Sequence, residues 1–297
     1  NKYWKDEIPP IMQDYYKKDN YIKAKKYAKE KDQINFISST LSTLITLLFL
    51  ILKGYGYLNL LISNYYEIPF LQSSMFFLSL FVLSDLISIP FSCYNTFVIE
   101  EKYGFNKMTV KTFIFDKIKS YLLTIILGGA LLYGALILVN ILENGFWLFL
   151  WLSLSILMLL INMFYADIIV PIFNKLKPLE SGSLREKIEQ YSQKVGYSLK
   201  NIYVIDGSKR SSKANAFFSG LGPRKTIALY DTLIANHTEE ELVAVLAHEV
   251  GHYKKKHIVT SLILTILQLG LMSYLLEICL KQNEISEALG GNEPVFH

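Results

Sequence analysis

The sequence predicts an all-α polytopic membrane protein with a small α+β domain and about five transmembrane helices. Three observations predict it. First, 52% of the 297 residues are hydrophobic and the mean hydropathy is +0.28, although 19% are charged, so the two kinds of residue must be segregated along the chain. Second, the apolar residues gather in five stretches, 36–52, 68–91, 121–139, 146–169 and 258–280, each near the ~20 residues that cross a hydrocarbon core about 30 Å thick. Third, the basic residues alternate with those stretches: of 30 Lys and Arg, nine precede residue 36, five lie in 93–120 and fourteen in 172–257. The connections 53–67, 140–145 and 281–297 hold only Lys53 and Lys281. Basic loops stay on the cytoplasmic side. The pattern therefore predicts that the N-terminal segment 1–35, the loop 93–120 and the domain 172–257 are cytoplasmic, and that the tail 281–297 is across the membrane.

Taken in order, residues 1–35 are rich in Lys, Tyr and Asp and contain Pro9-Pro10, which predicts irregular chain followed by a helix over 20–31 lying at the membrane surface. The first residue is Asn rather than Met, which leads us to expect that an earlier segment has been removed. Transmembrane helices one to four occupy 36–171, with Gly54-Tyr55-Gly56 as a loop signal at a span end. Asp85 and Asp167 fall inside or at the ends of spans, where a charge faces a bundle interior, a water-filled cavity or the interface. Cys93 and Cys279 fall at span ends on opposite faces and are not expected to bridge. Within 172–257, residues 183–196 read as an amphipathic helix with Leu184, Ile188 and Tyr191 on its apolar face. Residues 201–206 alternate as a strand, and 214–218 and 226–230 read as two more, joined by a turn at Gly220-Leu221-Gly222-Pro223. The fifth span, 258–280, follows directly. The net charge of +4 is accounted for by membrane orientation; no Lys/Arg run is long or aromatic enough for a nucleic-acid groove, so the expected partner surface is the lipid bilayer. No P-loop, dinucleotide fingerprint or serine nucleophile elbow is present.

The chemistry is concentrated in His248-Glu249-Val250-Gly251-His252. Thr238 and Glu241 form a capping box, and Leu242, Val245, Leu246 and Val250 make an apolar stripe, so the two histidines sit in mid-helix. Positions i and i+4 share a helix face, which lets both imidazoles reach one metal ion. Glu249, on the neighbouring face, can take a proton from water beside that metal. This is the zincin pattern: Zn2+ held by His248 and His252, with Glu249 as the catalytic base. The small domain is accordingly read as zincin-like and catalytic. An edge strand near the metal can hold an extended substrate backbone, and Asn215, Ala216 and Phe217 are the candidates for it. His257 is read as a membrane-interface residue and His237 as a helix-start residue.

Several stretches resemble the type I CAAX prenyl proteases, integral-membrane zinc endopeptidases of the endoplasmic reticulum. Residues 25–32 (KKYAKEKD) resemble that family's first cytoplasmic loop and 95–106 (NTFVIEEKYGFN) its second. Residues 165–182 (YADIIVPIFNKLKPLESG) resemble its passage from a span into the catalytic domain. Residues 202–220 and 226–233 resemble its strands, and HEVGHYKKKH its metal helix. The match runs in order through nearly the whole chain. The resemblance implies zinc ligands at His248 and His252, a general base at Glu249 and substrate binding by the Asn215 strand. It also implies prenylated CAAX proteins or peptides as substrates, cut to release the last three residues. It implies a multi-pass location in the endoplasmic reticulum membrane, and by extension the nuclear envelope, with the catalytic domain facing the cytoplasm.

Two departures stand out. The family's third zinc ligand is a glutamate on a later helix, followed by Ala-Asp, and Glu277, Glu284, Glu287 and Glu293 all lack that context. Glu277 would lie about 37 Å beyond His252 along a continuous helix at 1.5 Å per residue. The third ligand is therefore expected beyond residue 297, in a chain truncated at both ends, with five spans where the family has seven. The second departure is Lys213-Ala214, where the family often carries His-Ser, which bears on substrate preference. Two alternatives remain at this point: a bacterial-type heat-shock membrane protease, which should lack the 95–106 loop, and a catalytically inactive membrane scaffold of the same fold.

Overall fold

The computed structural model describes residues 7–142, 144–196, 201–219 and 226–291; the side chains of Met12, Phe218, Ser219, His252 and Tyr253 lie outside the description. In chain order the elements are α1 (Lys18–Ile51), α2 (Gly54–Ser63), α3 (Pro69–Tyr94), α4 (Val110–Ile141), α5 (Phe146–Phe164), α6 (Val170–Phe173), β1 (Leu176–Pro178), α7 (Ser183–Lys194), β2 (Asn201–Ile205), β3 (Ala216–Ser219), β4 (Thr226–Tyr230), α8 (Asp231–Asn236), α9 (Glu239–Lys254), α10 (His257–Cys279) and α11 (Asn283–Ala288). Widened π-helical turns extend α3 over Asn95–Glu100 and join α5 to α6 over Tyr165–Ile169. Among the described residues, five helices are long and apolar enough to cross a membrane: Lys18–Ile51, Pro69–Glu100, Val110–Ile141, Phe146–Phe173 and His257–Cys279. This is the all-α polytopic architecture with a small α+β domain that the sequence predicts.

The helix limits differ from the sequence reading for physical reasons. No Gly or Pro interrupts 18–51, so the expected surface helix and first span are one continuous helix. Gly54-Tyr55-Gly56 opens α2 rather than a loop. The reversal is made one residue earlier by Lys53, in the left-handed conformation at φ 53°. Gly56 is there for close approach: a Cβ on it would stand 2.0 Å from the Gly290 carbonyl oxygen. The expected loop 93–120 shortens to 101–109, because α3 continues through its π turn and Thr109 Oγ1 caps α4 by accepting the Thr112 N–H at 3.1 Å.

The chain divides into two compact units, Asn1–Asn106 with Asn283–His297, and Lys107–Gln282. In the first, α1 is tied to the turn after α3. The Tyr27 hydroxyl donates to Glu100 at 2.6 Å, Lys31 Nζ reaches the same carboxylate at 3.3 Å, and Lys102 and Tyr103 both donate to Glu30, at 2.6 and 3.0 Å. Tyr27 packs edge-on against Tyr103 and Phe105.

In the second unit, α5 and α10 run antiparallel. Trp151 Nε1 donates to the Ile266 carbonyl at 2.8 Å, and Gly270 lets the indole lie against α10, since a Cβ there would meet it at 3.2 Å. At the far end, the buried Glu277 carboxylate accepts the N–H groups of Gly145 and Trp147 at 3.0 and 3.1 Å and pairs with Lys281 at 2.7 Å. It thereby satisfies donors that the start of α5 would otherwise leave open.

Among the described residues, the small domain holds a four-stranded sheet in the order β1-β2-β4-β3, with β2 and β4 parallel and the outer pairs antiparallel. β2, β3 and β4 fall where the sequence places strands, and the Gly220–Pro223 turn lies outside the described residues. β1 is too short to show periodicity and is held by its pairing with β2. α7 and α9 cover the sheet through Ile188, Ile202, Ile227, Leu229, Leu242, Leu246 and Val250, all buried. Arg210 fastens the domain to α4 by a two-pronged pair with Asp116 at 2.7 and 2.9 Å and donates to the Phe173 carbonyl at 2.6 Å. Leu246, 1% exposed on α9, is central to this core. Leu246→Ala is expected to destabilise the domain by about 2–5 kcal/mol, seen as a lower melting temperature of the protein in detergent, whereas lipid-facing Leu264→Ala should change it little.

Candidate metal and hydrolytic site

The site is built on α9. Thr238 and Glu241 form the reciprocal cap, with the Thr238 N–H donating to Glu241 at 2.8 Å and the Glu241 N–H donating to Thr238 Oγ1 at 3.3 Å. Glu239 and Glu240 both pair with Lys187 of α7, at 2.7 and 2.6 Å, and Ser183 donates to Glu239. The ammonium holds both carboxyls below their ordinary pKa, and they hold the ammonium above its own. Anchored at its start and buried along Leu242, Leu246 and Val250, α9 presents His248 and Glu249 away from the sheet core, His248 exposed and Glu249 half-buried.

On the α9 backbone, positions 248 and 252 fall one turn apart on one face. The side chain of His252 lies outside the described residues. Among the described residues, no three His, Cys, Asp or Glu side chains converge as a metal set. Glu277 is committed elsewhere, to Gly145, Trp147 and Lys281. By residue type, His248 and His252 fit two of the three protein ligands that a catalytic zinc takes. His237 closes α8 rather than starting a helix, its Nδ1 3.0 Å from the Leu233 carbonyl.

The helix does not run on into the fifth span as the sequence suggests. It stops at Lys254, and Lys256 takes a left-handed conformation, φ 56° and ψ 26°, before α10 begins at His257. A lysine there costs about 1–2 kcal/mol relative to a residue without a Cβ. The turn swings α10 off the axis of α9 and onto α5. Between them lies a cavity of about 610 Å³, lined by Glu249, by Phe217 of β3, by Met158 and Asn162 of α5, and by one face of α10 that includes His257, Ser261, Leu262 and Thr265.

β3 is an edge strand of the sheet, with β1 at the opposite edge. The alternation of a strand sends Ala216 towards the sheet core and Phe217 into the cavity, where it meets Tyr165 edge-on at 6.0 Å. Asn215 precedes the strand: its carbonyl accepts the Tyr230 N–H at 3.0 Å and its Oδ1 the Ala216 N–H at 2.9 Å. Burial pushes the Tyr230 phenol up, Tyr165 acts in the same sense, and Arg210 and a hydrogen bond with Asn215 oppose them. The structure therefore brings Glu249 and Phe217 into one cavity and places Asn215 and Ala216 at the start of the edge strand. His257, which the sequence suggested was an interface residue, joins them. Its sequence signals were its place after the lysine run and its inclusion in the HEVGHYKKKH stretch, and a continuous-helix reading left it pointing along a span.

The fold is that of a polytopic membrane protein with a zincin-like domain. Residues 1–175 match the family described as CAAX prenyl protease N-terminal, five membrane helices, and residues 178–291 match peptidase family M48. The chain is 38% identical over 288 residues to a probable CAAX prenyl protease 1 of Schizosaccharomyces pombe, covering 90% of this chain and 58% of that protein. It is 35% identical over 291 residues to a CAAX prenyl protease 1 homolog of Dictyostelium discoideum, covering 96% of this chain and 68% of that protein. The crystal structure of S. mikatae Ste24p superposes with a TM-score of 0.88 at 34% identity, over 95% of this chain and 67% of that one. The chain belongs to the CAAX prenyl protease family, peptidase family M48. It spans about three-fifths of the length of its Schizosaccharomyces pombe relative.

The left-handed turn can be tested apart from any chemistry. Lys256→Gly should melt no lower than the unsubstituted protein, whereas Lys256→Val should lie ~1–2 kcal/mol below the glycine variant. Equal melting of the two would show that the turn carries no strain.

Proposed function

We propose that the protein is a zinc metalloendopeptidase that removes the C-terminal tripeptide from prenylated CAAX proteins. The observation that carries this reading is the cavity of about 610 Å³ in which half-buried Glu249, on the turn that bears His248, faces apolar walls from two candidate spans. His248 and His252 would hold the zinc ion, with a third ligand supplied from outside the described residues. Zinc, when bound, lowers the pKa of water from 15.7 towards about 7 and polarises the scissile carbonyl.

The chain's own residues do the rest. Glu249 accepts the proton of the attacking water and delivers it to the departing amine nitrogen, so one carboxylate serves both halves of the hydrolysis. The outer edge of β3, from Asn215 through Phe217, offers backbone groups to an extended peptide, which aligns the scissile bond with Glu249. Burying an isoprenoid chain against residues such as Met158 and Leu262 contributes about 0.8 kcal/mol per CH₂. The basic residues of 1–35, 93–120 and 172–257 support an orientation with the site facing the cytoplasm, and membership of the CAAX prenyl protease family supports a place in the endoplasmic reticulum membrane and, by extension, the nuclear envelope.

Cleavage of a farnesylated CAAX peptide by the full-length protein, with zinc measured on the same samples, tests the reading. Glu249→Gln should keep its zinc and lose about 10²–10⁴-fold in kcat. His248→Ala should lose the metal and activity together. Cleavage that survives Glu249→Gln would show that another group is the base.

A further inference from the structure

We propose that His257 is a substrate-contacting residue of the hydrolytic cavity, donating an imidazole N–H to an acceptor oxygen of the bound peptide. The inference rests on the peptidase reading above and adds to it a polar group beyond the metal helix motif. In an unbroken helix, residues 249 and 257 would stand about 12 Å apart along the axis. Here the chain leaves the helix at Lys256, and Glu249 and His257 line the same cavity.

The turn that places His257 there is an independent observation. A lysine in the left-handed region is maintained against a local cost, and outliers of this kind cluster where a side chain must be aimed. The cavity's composition supplies the chemical argument. Among its described lining residues, Glu249 and His257 are the ionisable ones. Of the other polar groups in the lining, Thr265 donates to the Ser261 carbonyl at 2.9 Å, Asn162 Nδ2 donates to the Met158 carbonyl at 3.0 Å, and Ser261 adds a hydroxyl. An ionised carboxylate is an acceptor only. A peptide brings carbonyl and carboxylate oxygens that need donors, and charge gathering on the scissile carbonyl oxygen rewards a fixed donor most. Imidazole, on the residue next to the Lys256 turn, brings an N–H suited to that task, beside the Asn162 amide and the Ser261 and Thr265 hydroxyls.

Two acceptors on the substrate share this chemistry, the scissile carbonyl and the terminal carboxylate, and paired substrates separate them. The experiment measures kcat and KM of the full-length protein on a farnesylated CAAX peptide and on its C-terminal carboxamide. Zinc content and melting temperature are recorded for each variant. His257→Leu should lower kcat/KM by about 10- to 100-fold with zinc unchanged, and His257→Gln, which keeps an N–H donor, should recover most of it. His257→Glu, which withdraws the donor but stays polar, should behave as the leucine variant and serves in its place if that variant does not fold. A loss in kcat that persists with the carboxamide identifies the scissile carbonyl as the acceptor. A loss in KM that disappears with the carboxamide identifies the terminal carboxylate. Equal losses for Leu and Gln, or none for Leu, would overturn the role of His257 while leaving the peptidase reading intact. A wild-type protein that cleaves neither peptide would overturn both.

Discussion

The site depends on one backbone constraint, the left-handed turn at Lys256. α9 has its apolar stripe committed to the sheet and α10 has its face committed to α5, and a straight helix cannot satisfy both surfaces. A single residue in a sparsely populated conformation reconciles them. Its consequence is the space left where the two helices diverge, with Glu249 on one wall and His257 on another. Without that break the same residues would form a rod from sheet to membrane.

Two packing systems hold the turn in place from either side. Below it, Leu242, Leu246 and Val250 are buried against β2, β4 and α7, which fixes the rotation of α9 and therefore the direction of His248 and Glu249. Above it, Trp151 and the Glu277 clamp fix α10 on α5. The Glu277 clamp illustrates how burial and charge are reconciled: its carboxylate is 7% exposed but accepts two backbone N–H groups and an ammonium. The same bonds commit Glu277 to Gly145, Trp147 and Lys281, and the break at Lys256 removes the continuous helix along which its distance from His252 was reckoned. Arg210 and Asp116 add a third tie, between the small domain and α4.

The legible parts of the sequence were those with a strong local period or cap. The capping box at Thr238, the stripe of α9, the strands β2 and β4 and the five long apolar helices all follow from spacing that a few residues fix among themselves. The short or turn-dependent parts were harder to read. β1 exists because β2 offers it a ladder, α2 begins at two glycines that look like a loop because Gly56 packs against the Gly290 carbonyl, and the π turns after α3 and α5 leave no compositional mark.

By itself the sequence determined the membrane class, the small domain and the HExxH helix, because hydrophobic periodicity and i, i+4 spacing are properties of the chain before it folds. The tertiary structure alone decided what shares a cavity with Glu249. Phe217 arrives from an edge strand, Met158 and Asn162 from α5, and His257 from beyond a left-handed lysine, and no local pattern relates their positions. They meet because the apolar faces of α9 and α10 are buried against different partners, and only long-range packing can set that divergence.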